Sequence, residues 1–367
     1  MADPARLKIT ALNSVHRRLG ARMVDFGGWE MPVQYSGILD EHHTVRRGVG
    51  VFDVSHMGEI DIQGPEALTL VQFVTTNDAA RLKIGQIQYS GLLYPHGGFV
   101  DDILVHKAGD DHYFLCVNAY NQEKDYEHIR AANVWNVAVE FTSGRYAQIA
   151  VQGPRALATL QKLTASNLAS IRYYHFVDGE VCGQPARIAR TGYTGEDGFE
   201  VYVPPEAAPL IWDRIFDAGQ EFAVKPCGLG ARNTLRLEAA MALYGHEIDA
   251  SLTPLEAGLD WIVKLDKGDF CGRAALERQQ REGVHRRLTG FEMRGRGIAR
   301  DGYEVLAGGK PVGWVTCGGP SPTLNKNIGL CYLPVEMATP GRPVDILIRG
   351  QAVAAETVAT PFYRRAK

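Results

Sequence analysis

Apolar and polar positions along this chain follow two rhythms. Leu12 to Arg22 has the spacing of a helix that ends in Gly-Ala-Arg, and a second helix is expected from about Gly37 to Arg47. Between them, Met23-Val24-Asp25-Phe26-Gly27-Gly28-Trp29-Glu30-Met31-Pro32-Val33-Gln34-Tyr35 gathers large apolar side chains around a Gly-Gly turn, as in a loop that is buried or lines a pocket. Strand alternation governs Tyr89 to Lys107, where Pro95-His96-Gly97-Gly98 turns the chain into Phe99-Val100-Asp101-Asp102-Ile103-Leu104-Val105. Successive strand side chains point to opposite faces, so Asp101 falls with Ile103 and Val105, and Asp102 with Leu104. Both faces are otherwise apolar. At least one acid therefore lies against a core or a pocket, where it needs hydrogen bonds, a cation or a raised pKa. The alternative is that the pair satisfies backbone amides of the preceding turn.

The pattern also repeats. Glu59-Ile60-Asp61-Ile62-Gln63-Gly64-Pro65-Glu66-Ala67-Leu68 is echoed by Gln148-Ile149-Ala150-Val151-Gln152-Gly153-Pro154-Arg155-Ala156-Leu157, 89 positions later. In each copy a short strand meets Gly, and Pro is expected at the first helical position. Each then runs through a helix into a two-stranded unit with a glycine-rich turn: the Tyr89 to Lys107 stretch in the first, Ala186 to Val203 in the second. This predicts two related α+β lobes, with repeats near 51–139 and 140–230. Matching Gly98-Phe99 to Gly198-Phe199 gives Asp102 and Glu200 the same strand parity, and a pseudo-twofold packing would turn both acids toward one cavity.

After Pro226-Cys227-Gly228-Leu229-Gly230-Ala231 a helix is expected from Arg232 to Leu243, with Arg232 and Arg236 on one face; one or both bind a carboxylate, from the protein or from an acidic ligand. The third glycine of a dinucleotide turn is missing, Asn233 standing there, which speaks against a nucleotide site. A solvated helix spans Arg273 to Glu282. Beyond it, Leu288-Met293, Tyr303-Leu306, Pro311-Thr316, Ile328-Tyr332, Pro343-Ile348 and Ala352-Val358 are short alternating segments between Gly- and Pro-bearing turns, the pattern of an antiparallel barrel or sandwich. The boundaries read as one region over 1–280 and a barrel domain over 285–367.

Composition narrows the function classes. With 367 residues, 45% of them hydrophobic, the chain can bury a sizeable core; a net charge of −3 gives no basic footprint for nucleic acid. No apolar run is long enough for a membrane span, and residues 1–10 carry charges in place of a signal or transit segment, so a cytoplasmic protein is expected. The six cysteines form no C-x-x-C pair and read as buried thiols in a reducing compartment. His42-His43, His56 and His246-Glu247-Ile248-Asp249 match no standard metal-ligand spacing, so no metal is expected, and His56 reads either as a core histidine or as a ligand-facing one beside Met57.

Seven segments together resemble one family, the aminomethyltransferase (T-protein) family of the glycine cleavage system: Met23 to Tyr35, Gly50-Val51-Phe52-Asp53-Val54-Ser55-His56-Met57-Gly58-Glu59, Gly97 to Asp102, Val117-Asn118-Ala119, Arg190 to Glu200, Gly228 to Arg232, and Leu243 to Asp249. The likeness spans essentially the whole chain. It implies a three-domain cloverleaf with a central tetrahydrofolate cavity. It also implies transfer of a methylene from the aminomethyl group on the lipoyl arm of the H-protein to tetrahydrofolate, with no metal cofactor. By this resemblance Asp102 engages the folate nitrogens and Glu200 holds the amino edge of the pterin. Met57, Tyr89, Tyr174 and Tyr193 wall the ring, Asn118 fixes polar atoms, and Arg232 and Arg364 meet the carboxylates of the folate tail. Other members of the fold demethylate free N- or S-methylated substrates. A non-catalytic relative, a folate-binding protein, carries a Lys-Gly-Cys-x-x-Gly-Gln motif, from which Lys267-Gly268-Asp269-Phe270-Cys271-Gly272-Arg273 departs.

Overall fold

The computed structural model describes residues 7–365. The chain opens with a short helix, α1 (Asn13–Arg18), a hairpin of β1 (Arg22–Phe26) and β2 (Trp29–Gln34), then α2 (Ile38–Arg47) and β3 (Gly50–Asp53). The first copy of the repeat is β4 (Gly58–Gln63), α3 (Ala67–Val74), β5 (Ile87–Leu93), β6 (Phe99–Gly109), β7 (His112–Val117), α4 (Gln122–Ala132) and β8 (Ala138–Phe141). The second is β9 (Ala147–Gln152), α5 (Ala156–Leu160), β10 (Phe176–Val181), β11 (Gln184–Ala189), β12 (Gly198–Val203), α6 (Ala208–Gly219) and β13 (Lys225–Pro226). Then come α7 (Leu229–Glu238), α8 (Arg273–Glu282), β14 (Arg286–Met293), β15 (Glu304–Ala307), β16 (Lys310–Ser321), β17 (Lys326–Pro334), β18 (Pro343–Ile348) and β19 (Gln351–Val358).

The expected architecture, mixed α and β with a C-terminal barrel, is present. Strands β14 to β19 close into an antiparallel barrel in the order β14-β17-β16-β15-β18-β19, and its interior is filled by Phe291, Val305, Val315, Leu333 and Ile346. The two repeat copies build sheets of matching order, β5-β6-β7-β4-β8 and β10-β11-β12-β9-β3-β13. Each sheet borrows the strand that leads into the other copy: β3 precedes β4 yet pairs with β9, and β8 precedes β9 yet pairs with β4. No helix among the described residues is long and apolar enough to cross a membrane.

Three local expectations change, besides the bounds of the helix expected from Arg232 to Leu243, which is α7 and spans Leu229–Glu238. Helix α1 is shorter than Leu12–Arg22, because Gly20 at φ +71 ends it and Arg22 already belongs to β1. The prolines of the repeat do not open their helices: Gly64 and Gly153 take φ of +134 and +126, Pro65 and Pro154 lie in the turn, and α3 and α5 begin at Ala67 and Ala156. A Cβ at Gly153 would lie 2.5 Å from Gly48 O, so glycine is required there. The third change concerns the acids. Asp102 stands on β6 and Glu200 on β12, but the sheet order makes β11 the counterpart of β6 and β7 that of β12. In register, Asp61 faces Phe114 as Ala150 faces Glu200, so the repeat partner of Glu200 is Phe114. Glycine-entered strands recur at several hairpins, and the β10–β11 turn at Cys182-Gly183 has no likeness in sequence to Pro95–Gly98.

The chain forms two compact units. One contains residues up to Ala67, Leu82–Gln88 and Leu104–Asn233; the other contains Leu68–Arg81, Tyr89–Ile103 and the chain from Thr234 onward. The first is built on Val51, Ile149, Val151, Phe199, Val201 and Trp212, all buried. In the second, Leu93 and Phe99 pack with Ile248, Leu255, Phe270 and Leu276.

Candidate active site

The candidate residues fall into two groups, one in each unit. In the second unit, the turn before β6 is fixed by the backbone: Tyr94 N donates to Gly98 O at 2.9 Å and Phe99 N to Asp249 O at 3.0 Å. A Cβ at Gly98 would lie 1.9 Å from Ala250 O, so only glycine lets these segments approach. The strand that follows separates its two acids as the alternation predicts. Asp101 is fully buried, whereas Asp102 is half-buried and takes the Tyr89 hydroxyl at 2.8 Å. Tyr89 is held from both ends: Asn77 Nδ2 donates to its carbonyl at 2.9 Å, and its ring stacks on Trp261 with centroids 5.7 Å apart.

Behind Tyr89, the segment after α3 is clamped by Lys267. Its Nζ donates to Gln72 O at 2.6 Å, Thr75 O and Asn77 O at 2.9 Å, carbonyls at the C-terminal end of the helix where a cation is favoured. Burial pulls the Lys267 ammonium down to about 7, with Asp78 opposing.

In the first unit, Glu200 sits on β12 and is 9% exposed. Gln148 Nε2 reaches its Oε1 at 3.1 Å and Thr191 Oγ1 reaches its Oε2 at 2.6 Å. Burial pushes the carboxyl pKa up, against the opposing effects of Thr191, Arg232 and Gln148. Arg232, on α7, lies with its guanidinium 4.3 Å from the centroid of the Tyr193 ring, a cation–π stack. The loop carrying Tyr193 is tied down by Arg46, which donates to Thr194 O at 2.7 Å and pairs with Glu196 at 3.0 Å, both partners nearly buried.

Met57 and Tyr174 pack on one cluster with Ile87, Phe114 and Tyr202. Tyr174 adopts φ 59, a left-handed conformation uncommon for a bulky residue and concentrated at functional positions. Asn118, at the end of β7, is half-buried and its carbonyl caps Asn121 N at 2.9 Å. Arg364 is exposed beyond β19.

Several neighbouring features resolve as structural. Arg236 pairs with Glu247 at 2.6 Å, 1% and 0% exposed, so the second arginine of the α7 pair serves a protein carboxylate. Gly228-Leu229-Gly230, which leads into the first turn of α7, serves packing: a Cβ at Gly228 would lie 2.4 Å from Val33, and Gly228 N donates to Glu41 Oε2 at 2.8 Å. His56 is a core histidine, edge-on to Phe26 at 5.4 Å. Burial and Arg232 pull its pKa down to about 3, so it is neutral.

Sequence reasoning passed over Trp261, Lys267 as a clamp, and the Gln148–Thr191 pair around Glu200. Trp261 left no distinct signal, being one apolar residue beside Ile262, Val263 and Leu265.

Residues 12–267 match the family model of the GCVT N-terminal domain, and residues 286–364 match that of the glycine cleavage T-protein C-terminal barrel domain. An aminomethyltransferase of Acidobacterium capsulatum is 55% identical over 370 residues, covering 99% of this chain and 98% of its own. One from Moorella thermoacetica is 51% identical, with 100% of both chains covered. Among solved structures, the glycine cleavage system aminomethyltransferase T of Bartonella henselae aligns with a TM-score of 0.93 and 32% identity, over 98% of this chain and all of its own. The chain belongs to the glycine cleavage T-protein family of aminomethyltransferases.

Proposed function

We propose that this aminomethyltransferase takes its carbon from the lipoyl arm of an H-protein and delivers it to tetrahydrofolate. The donor is the S–CH2–NH2 group on the arm. Ammonia leaves, N5 and N10 of the folate each form a bond to the carbon, and the C–S bond breaks. Of the two protons released by the folate nitrogens, one leaves with ammonia and one ends on the sulfur. The products are 5,10-methylenetetrahydrofolate, ammonia and dihydrolipoyl H-protein. Binding two reactants in register supplies most of the advantage over solution, and Asp102 orients the folate nitrogens and handles their protons.

In this reading Glu200 accepts the amino edge of the pterin, while Met57, Tyr89, Tyr174 and Tyr193 wall the ring and Asn118 fixes nearby polar atoms. Arg232 and Arg364 meet the carboxylates of the folate tail. The working division is a folate-binding region over 1–280, with repeats near 51–139 and 140–230, and a barrel domain over 285–367. The observation that carries the reading is the half-buried Asp102 carboxyl held at 2.8 Å by Tyr89, in a chain whose relatives are aminomethyltransferases over their full length. The test is an assay with H-protein loaded with the aminomethyl group. Ammonia should appear only when tetrahydrofolate is also present. Ammonia release from a free N- or S-methylated amino acid, with none from loaded H-protein, would overturn it.

A further inference from the structure

Each oxygen of Glu200 is met by a different protein donor, Gln148 Nε2 at Oε1 and Thr191 Oγ1 at Oε2. Both donors are themselves held. Gln148 also donates from Nε2 to the Tyr202 hydroxyl at 3.2 Å, and Cys116 Sγ donates to its Oε1 at 3.8 Å. With the thiol on the oxygen side, flipping the amide would turn an oxygen toward the carboxylate. The backbone of Gln148 is pinned by Ser55 Oγ, which accepts from its N at 3.0 Å and donates to its O at 3.3 Å. Thr191 is fixed through its carbonyl, which takes Gln152 Nε2 at 3.0 Å, while Gln152 Oε1 takes Thr194 Oγ1 at 2.8 Å. A Cβ at Gly192 would lie 2.0 Å from Gln152 Oε1, so the loop closes this tightly only with glycine there.

A carboxylate has about four lone-pair positions, two on each oxygen. One on each is occupied here, which leaves acceptor capacity on both oxygens. That remaining capacity can serve an edge with two N–H donors, the arrangement on a 2-amino-4-oxopyrimidine ring. Burial alone would favour the protonated carboxyl, whose O–H would oppose such an edge.

We propose that Thr191 and Gln148 are positioning residues for folate: by donating to one Glu200 oxygen each, they fix the plane of the carboxylate and keep it a double acceptor. The inference rests on Glu200 as the contact for the pterin. It adds that recognition resides in a set of three residues, two of which never touch the ligand.

The test is the dissociation constant of tetrahydrofolate for the full chain, measured by calorimetry from about pH 5 to pH 9 beside E200Q, T191V, T191S and Q148M. Losing a hydrogen bond to an ionised group should weaken binding about tenfold in T191V. Because that bond favours the ionised carboxylate, its loss also moves the acid limb of the affinity profile to higher pH. T191S, which restores the hydroxyl, should return both to wild type. A merely structural role would lower the melting temperature without moving the limb. If T191V does not fold, Q148M carries the same two readouts. Weakened binding in E200Q together with unshifted profiles in T191V and Q148M overturns the positioning role alone. Wild-type affinity in E200Q overturns the reading of Glu200, and the inference with it.

Discussion

Glu200 and Asp102 both stand on strands entered through glycine turns, yet the chain surrounds them differently. Glu200 is 9% exposed, and Gln148 and Thr191 each donate to one of its oxygens from fixed positions. Asp102 is half-buried, and the Tyr89 hydroxyl that donates to it belongs to a ring stacked on Trp261, itself 56% exposed. A group that recognises a fixed donor pair gains from rigid support, because its geometry is set before the ligand arrives. A group that exchanges protons with a reacting nitrogen needs access to the reactants. The contrast fits the proposed division of labour, recognition at Glu200 and chemistry at Asp102.

The strongest way to break this contrast is D102N. Loss of a general acid–base group should slow transfer by about 10² to 10⁴, while calorimetry should find folate bound within a few-fold of wild type. Single-turnover rates near wild type would make Asp102 a second binding group and remove the difference. E200Q should do the reverse. Folate binding should weaken by roughly 10- to 100-fold, as expected for bonds to a charged acceptor, with kcat at saturating folate retained. A fall in kcat at unchanged affinity would exchange the two roles. Y89F sharpens the comparison further, because it keeps the ring on Trp261 and deletes only the hydroxyl at Asp102. Here kcat should fall by about five- to tenfold with little change in folate affinity. An equal loss in both quantities would mean that Tyr89 acts through the shape of the site and not through Asp102.

How much of this could be read in the sequence depended on the range of the interaction involved. The barrel strands were legible because each is a short alternating segment between Gly and Pro turns, and α8 because Arg, Glu and Gln dominate it, as in a solvated helix. Asp101 and Asp102 were distinguishable by parity, which is local. The correspondence between the repeat copies was only half legible. Gly64-Pro65 and Gly153-Pro154 mark it, but the match of Gly98 to Gly198 joins strands from different places in the sheet order. Lys267 shows the limit: its acceptors at Gln72 and Asn77 lie 195 and 190 residues away, and no pattern within the 267–273 motif points to them. Gln148 and Thr191 were hidden for a related reason. A polar residue on an apolar strand, as Gln148 on β9, or in a loop, as Thr191 between β11 and β12, looks the same in sequence whether it faces solvent or another buried side chain.

The smallest expected effect concerns stability without ligand, and its sign follows from burial. The Glu200 carboxyl is raised in the folded protein, so the folded state keeps its proton to higher pH than the unfolded chain does. Its contribution is fully present below the unfolded pKa of about 4.3 and is lost as pH rises through the folded value. Above the folded pKa the wild type carries an ionised carboxylate that is more costly folded than unfolded, and glutamine removes that cost. The melting temperature of E200Q relative to wild type should climb by a few degrees at most as pH rises through the folded pKa. Scanning calorimetry across that range reads the difference directly. A flat difference would mean that Glu200 titrates alike in both states. Gln148, Thr191 and Arg232 would then fully offset its burial, and the recognition acid would lose the mark that sets its surroundings apart. A rising difference alongside weakened folate binding would show one residue lowering stability where it serves recognition, as expected for a charge held ready in a buried site.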